Sequence, residues 1–167
     1  MIVIRPETPA DIAAIFHLNR LAFGGDTESR LVDRLRDGGN ILCSLVAEDD
    51  TGIIGHILFS ELPIETDAAM IRAAALAPMA VKPGQQRRGI GSQLVRAGIE
   101  ACRAASIAAI VVVGHVEYYP RFGFSREKAL ELDSPYDCEA CMALELDDGV
   151  LTGVRGRVRY AKAFDGL

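Results

Sequence analysis

Gln86-Arg87-Arg88-Gly89-Ile90-Gly91-Ser92 is the stretch of this chain best suited to chemistry, because glycines and polar side chains stand where an apolar run gives way to a helical pattern. The first turn of a helix leaves its amide N–H groups without intrahelical acceptors and carries roughly half a positive charge from the aligned peptide dipoles. An anion placed there meets several donors at once. Gly89 and Gly91 let a ligand approach the backbone closely. Lys82, Arg87 and Arg88 add local positive charge to a chain whose formal net charge is −5, which points to one polyanionic ligand rather than general adhesion. A glycine-rich turn that only tightens a strand-to-helix connection is the plainer alternative.

Two nucleotide motifs can be tested letter by letter. A P-loop needs lysine and then Ser or Thr after its last glycine; Gly84 to Gly89 has the gap, but Ile90-Gly91 follows. A dinucleotide fingerprint needs a third glycine, and Gly89-Ile90-Gly91-Ser92-Gln93-Leu94 lacks it. Metal chemistry is equally poorly supported. If an alternating strand already covers Cys138 and Cys141, positions three apart point to opposite faces, and no second Cys/His pair completes four ligands. Packing is the expected role of both, His17, His56 and His115 are scattered, and no metal site is predicted.

The elements that hold the loop can be read from periodicity. A short apolar strand, Ile2 to Ile4, precedes Thr8-Pro9-Ala10-Asp11, a hydroxyl cap with proline at the first helical position, so a helix should run to about Phe23. Asp26 or Thr27 caps a second helix that Gly38-Gly39 ends. Leu42 to Glu48 and Ile53 to Ser60 are β-rich runs joined by a turn composition, and should pair antiparallel. After a polar interval around Glu65 to Asp67, Ile71 to Val81 is a third apolar run whose Pro78 implies an edge or a bulge. The helix after the loop turns Leu94, Val95, Gly98, Ile99 and Cys102 inward. Ile107 to Val113 is largely β-branched, as in a strand buried on both faces, so Ile71 to Val113 reads as a β-loop-α-β unit with parallel strands. Val116 to Phe122 suits a short helix, Cys141 to Leu146 a strand, and Val154 to Arg159 a last edge strand guarded by arginines.

Length and composition set outer limits. A chain of 167 residues with 50% hydrophobic and 25% charged residues is expected to form one domain, 1–167, with a full core. The acidic balance argues against nucleic acid and anionic lipid as partners. The longest uncharged apolar-rich run, Ala104 to Gly114, is well short of the roughly 20 residues of a spanning helix. The N-terminal Met1-Ile2-Val3-Ile4-Arg5-Pro6 carries no secretion-signal pattern, so a cytoplasmic location is expected, with the four cysteines kept as thiols.

Gln86-Arg87-Arg88-Gly89-Ile90-Gly91 resembles the Q/R-x-x-G-x-G/A loop of the GCN5-related N-acetyltransferase (GNAT) family, and Tyr119-Pro120-Arg121-Phe122-Gly123-Phe124 is similar to its late tyrosine-x-x-x-glycine-phenylalanine motif. The order of elements fits too, so the resemblance covers most of the chain. It implies an α/β fold with a mixed central sheet flanked by helices and a splay between the fourth and fifth strands. It further implies that Arg87 to Ser92, with Gln86, bind the pyrophosphate of acetyl-CoA, and that the backbone of Met79, Ala80 and Val81 pairs with the pantetheine arm. Pro78 stands where the splay could begin. The implied reaction is attack of a neutral primary amine on the thioester in a ternary complex, acetyl-CoA serving as cosubstrate. A backbone N–H around Ala80 is the candidate contact for the thioester carbonyl, and Tyr119 matches the tyrosine that protonates the departing thiolate, with Tyr118 as fallback.

An alkylammonium has a reference pKa near 10.4, so something must take its proton before attack. Glu61, after the third strand, is the leading carboxylate, with Glu117 and Glu28 behind it and ordered water an equal alternative. A CoA-binding sensor without turnover is the rival function. Related folds often pair through closing strands, which makes a homodimer the expected assembly.

Overall fold

The β-branched run after Ile107 lies deep inside a six-stranded sheet in the computed structural model, which describes residues 1–135 and 139–166. The chain begins with β1 (Val3–Pro6), a 3-10 turn at Pro9–Asp11, α1 (Ile12–Phe23) and α2 (Thr27–Asp37). Then follow β2 (Ile41–Asp49), β3 (Gly52–Glu61), β4 (Ile64–Thr66), β5 (Met70–Ile71), β6 (Ala73–Val81), α3 (Ile90–Ala104) and β7 (Ala109–Val113). The remaining strands are β8 (Leu132–Asp133), β9 (Cys141–Glu145) and β10 (Gly156–Val158). The large sheet runs β1-β2-β3-β6-β7-β9. Only β6 and β7 pair in parallel within it, as the crossover through α3 requires.

Two apolar layers cover the sheet. On one face α3 packs Ile90, Leu94, Val95, Ile99 and Cys102 against Ala47, Ile57 and Phe59. Gly98 permits this contact: a Cβ there would stand 2.1 Å from Phe59 Cε2. On the other face α1 and α2 bury Ile15, Leu31, Val32 and Leu35 against Val46, Leu58, Ala73 and Val111. The proline of β6 produces a bulge, seen as a register shift between Ile57 and Phe59 opposite it.

Several elements depart from the sequence expectations. The polar interval around Glu65 contributes β4, the third apolar run divides into β5 and β6, and β4 and β5 belong to a second sheet of order β5-β4-β10-β8. The last strand is therefore not an edge: β10 lies between β4 and β8, and a Cβ at Gly156 would stand 2.6 Å from Ile64 Cγ2. Arg157 within it and Arg159 just beyond it pair with acids across the sheet, Arg157 with Asp133 at 3.2 Å and Arg159 with Glu65 at 2.6 Å. The short helix after β7 shrinks to a 3-10 turn, Tyr119–Phe122, ended by Gly123 at φ 99. Cys43 and Cys102 are free thiols, but Cys141 is disulfide-bonded, which corrects the expectation of thiols throughout. Cys141 is the first residue of β9, so strand alternation does not extend upstream of it; Cys138 lies outside the described residues. Among the described residues no helix is long and apolar enough to cross a membrane.

Candidate active site

The parallel ladder of β6 and β7 runs from Ala73–Ala109 to Leu76–Val112 and stops, while β6 continues on β3 through Val81–Gly55. Among the described residues, Met79 to Val81 thus have a strand neighbour on one side only. Strand geometry decides which groups face the open side. Lys82 N–H donates to Ile54 C=O at 2.8 Å, and in an antiparallel pair every second residue turns its amide to the same neighbour. Ala80 therefore turns its N–H and C=O toward His56, whereas those of Met79 and Val81 point into the splay. The backbone donors available there flank Ala80 rather than belong to it.

The loop after β6 leads back over the splay. Arg87 at φ 63, Gly84 at φ 89 and Gly89 at φ 81 are left-handed, and left-handed residues within a turn direct successive N–H groups into one concavity. An arginine in that region stores about 1 kcal/mol or more of strain, the kind of outlier that gathers at ligand-holding turns. Gln86 Nε2 donates to Val81 C=O at 3.3 Å, and Arg88 Nη1 donates to Gln85 Oε1. Gly89 caps α3, with Gln93 N–H on its carbonyl at 3.1 Å. That leaves the first-turn amides of Ile90, Gly91 and Ser92 without helical acceptors. Ile90 itself is buried and anchors the turn, while Arg87 and Arg88 are exposed.

The two tyrosines part company. Tyr119 opens the 3-10 turn and is only 6% exposed, its ring edge-on to Phe124 at 5.7 Å and tight under Gly114, where a Cβ would stand 2.5 Å from Tyr119 Cε2. Burial, then the neighbouring Tyr118, pushes the Tyr119 hydroxyl up to about 12. Tyr118 instead reaches α3: its hydroxyl lies 3.1 Å from Ser92 Oγ, and a Cβ on Gly91 would lie 3.2 Å from it and 3.5 Å from Met79 Cε. Loop, splayed strand and tyrosine pair are thus brought together.

The leading carboxylate is not. Glu61 pairs with Ala74, at the opposite end of β6 from Met79; five residues of strand separate them by roughly 15 Å. Its amide holds Asn40 C=O at 2.9 Å and its side chain is exposed. Glu28 sits in the first turn of α2, and Glu117 is exposed just before the tyrosines. His56 is fully buried, with Nδ1 3.2 Å from Asn19 Nδ2 and Nε2 2.9 Å from Ser44 Oγ. Asn19 Nδ2 also donates to Ile15 C=O at 3.0 Å, which assigns Nδ1 of the ring as acceptor and Nε2–H as donor. The Ser92–Tyr118 contact has no local sequence signal, because it depends on how the turn after β7 folds back; the parity of Met79 and Val81 could be read only from the register.

A mixed sheet opened between its parallel strands, with the free first-turn amides of α3 beside the gap, is the architecture of the acyl-CoA N-acyltransferase class. The family profile described as an acetyltransferase (GNAT) domain matches residues 3–126. The uncharacterized N-acetyltransferase YhbS of Escherichia coli (strain K12) is 34% identical over 166 residues, covering 98% of both chains. Among solved structures, YhbS of Escherichia coli in complex with CoA aligns with a TM-score of 0.89 at 34% identity, covering 98% of this chain and 91% of that one. A GNAT family acetyltransferase of Brucella melitensis in complex with acetyl-CoA gives a TM-score of 0.82 at 32% identity over 99% of each chain. The chain belongs to the GNAT family and is an N-acetyltransferase.

Proposed function

We propose that the protein transfers the acetyl group of acetyl-CoA to a primary amine by direct attack within a ternary complex. The observation that carries this reading is the open edge of Met79 to Val81 leading to the amide cluster at the start of α3. The diphosphate sits on the amides of Arg88 to Ser92, with Gln86, Arg87 and Arg88 around it, and the pantetheine arm extends β6 as an extra strand, paired with the outward groups of Met79 and Val81. That two relatives were solved in complex with CoA and with acetyl-CoA supports acetyl-CoA as the cosubstrate.

The amine attacks the thioester carbonyl, charge gathers on its oxygen, and an amide N–H of the open edge is the donor within reach of it. The carbon–sulfur bond breaks as the tetrahedral intermediate collapses. Tyr119 is the group that meets the departing sulfur. A hydroxyl held up at about 12 is fully protonated at neutral pH, which is the state a proton donor requires. In balance the amine loses one proton and CoA leaves as the free thiol. Because Glu61 pairs with Ala74, well along β6 from the open edge, water is the group that takes the ammonium proton in this reading.

Release of CoASH from acetyl-CoA across a panel of primary amines tests the assignment. Amine-dependent release is expected; binding of acetyl-CoA without release for any amine would favour the sensor.

A further inference from the structure

We propose that Tyr118 is a positioning residue that acts through Ser92 on the diphosphate of the bound cosubstrate. The proposal rests on the reading of α3's first turn as the diphosphate seat and assigns a role to a residue outside the loop.

The Tyr118 and Ser92 hydroxyls lie 3.1 Å apart, and either could donate. The ligand fixes the direction. Phosphate oxygens at neutral pH accept and do not donate, so a Ser92 hydroxyl that contacts one must give it its only proton. Its lone pairs are then free for the Tyr118 O–H. The chain Tyr118 O–H to Ser92 O–H to phosphate oxygen uses each donor once, and hydrogen bonds in such a chain strengthen one another.

The tyrosine is built to hold still. Its ring meets Tyr119 edge-on at 5.2 Å and Phe122 at 5.3 Å, and Arg121 stacks its guanidinium over the face at 4.5 Å. Arg121 Nε also donates to Tyr118 C=O at 3.0 Å, tying side chain and backbone to one clamp. The hydroxyl is delivered beside Gly91, where a Cβ would be 3.2 Å from it. A residue needed only to fill space would not require its oxygen at the helix start.

Calorimetric titration of CoA into wild type, Tyr118→Phe, Ser92→Ala and the double variant tests the relay, with thermal melts of each protein alone. Each single change should weaken CoA binding by about 5-fold, a typical hydrogen bond. The double variant should bind no more weakly than Ser92→Ala, Ser92→Thr should retain affinity, and the melting temperature of Tyr118→Phe should fall by no more than the roughly 2–4 °C of one lost hydrogen bond. Pantetheine, which has no diphosphate, should show no difference between wild type and Tyr118→Phe. Wild-type affinity for CoA in Tyr118→Phe, additive losses in the double variant, or an equal loss for pantetheine would overturn the relay while leaving the cosubstrate reading intact. No heat from CoA with wild type would instead remove the seat itself.

Discussion

His56 stands directly across the β3–β6 ladder from Ala80. A fully buried imidazole thereby backs the short stretch of β6 whose far edge is open, and its two hydrogen bonds tie that stretch to α1 through Asn19 and to β2 through Ser44. Protonating His56 would remove the Nδ1 acceptor that Asn19 Nδ2 donates to, and with it the tie to α1.

Burial, with a smaller contribution from the Arg36 charge, pushes the His56 pKa down to about 3 from an ordinary 6.5. A group that takes a proton less readily folded than unfolded contributes stability above its unfolded pKa and loses it as pH falls. The free energy of unfolding should thus drop between pH 6.5 and about 3, at up to about 1.4 kcal/mol per pH unit. Asp11, held low chiefly by its Arg5 hydrogen bonds, adds its own loss only below its ordinary value of 3.8. Urea unfolding at intervals from pH 6.5 to 4.5 isolates the histidine. His56→Leu should flatten that slope whatever it does to absolute stability, and an unchanged slope would contradict the assignment.

Tyr119→Phe removes the hydroxyl without disturbing the packing under Gly114. The expected result is a fall in kcat of about 100-fold, within the usual range for a lost acid, with KM for acetyl-CoA little changed. Wild-type turnover should show no loss from tyrosine ionisation up to pH 10, since the hydroxyl is pushed up to about 12. A variant with full turnover would remove Tyr119 from the mechanism.

Gly89→Val tests the cradle. Nothing lies within 4 Å of a Cβ at Gly89, but φ is +81, so the cost is conformational, about 1–2 kcal/mol for a left-handed residue. Stabilisation of the melting temperature by CoA should shrink more than the melting temperature of the protein alone, because the strain falls on the amides proposed to hold the diphosphate.

Gly98→Ala presses a methyl into the Phe59 ring, at 2.1 Å from Cε2. Overpacking of this kind costs about 1–3 kcal/mol. Chemical denaturation should show that loss, and Phe59→Leu in the same chain should recover part of it. Equal stability of Gly98→Ala and wild type would mean that α3 can lift off the sheet at no cost.

Elements with strong local signals were legible. The inward set Leu94, Val95, Gly98, Ile99 and Cys102 is buried throughout, and the hairpin and parallel pair follow the sequence reading because turn composition and β-branching are local properties. Pro78 marks a bulge, as a residue without a ladder donor must. What escaped was non-local. Nothing near Glu65 states that Arg157 will face it from across a second sheet. The basic alternation of Arg155, Arg157 and Arg159 resembles an exposed edge because its acidic partners lie far off in sequence. Glu61 follows the third strand in the sequence reading, where it could face the cleft; sequence places it at that strand's end but not the direction in which the end points, and the register sets it opposite Ala74.

The second sheet constrains the order in which the molecule can be assembled. Arg159 closes on Glu65 across 94 positions of chain, and β10 slots between two partners made much earlier. On the ribosome, β4 and β8 must wait with raw edges until the final strand emerges, so this corner matures last. A polypeptide stalled before Gly156 would leave β4, paired with β5 alone, and the short β8 without the strand that joins them.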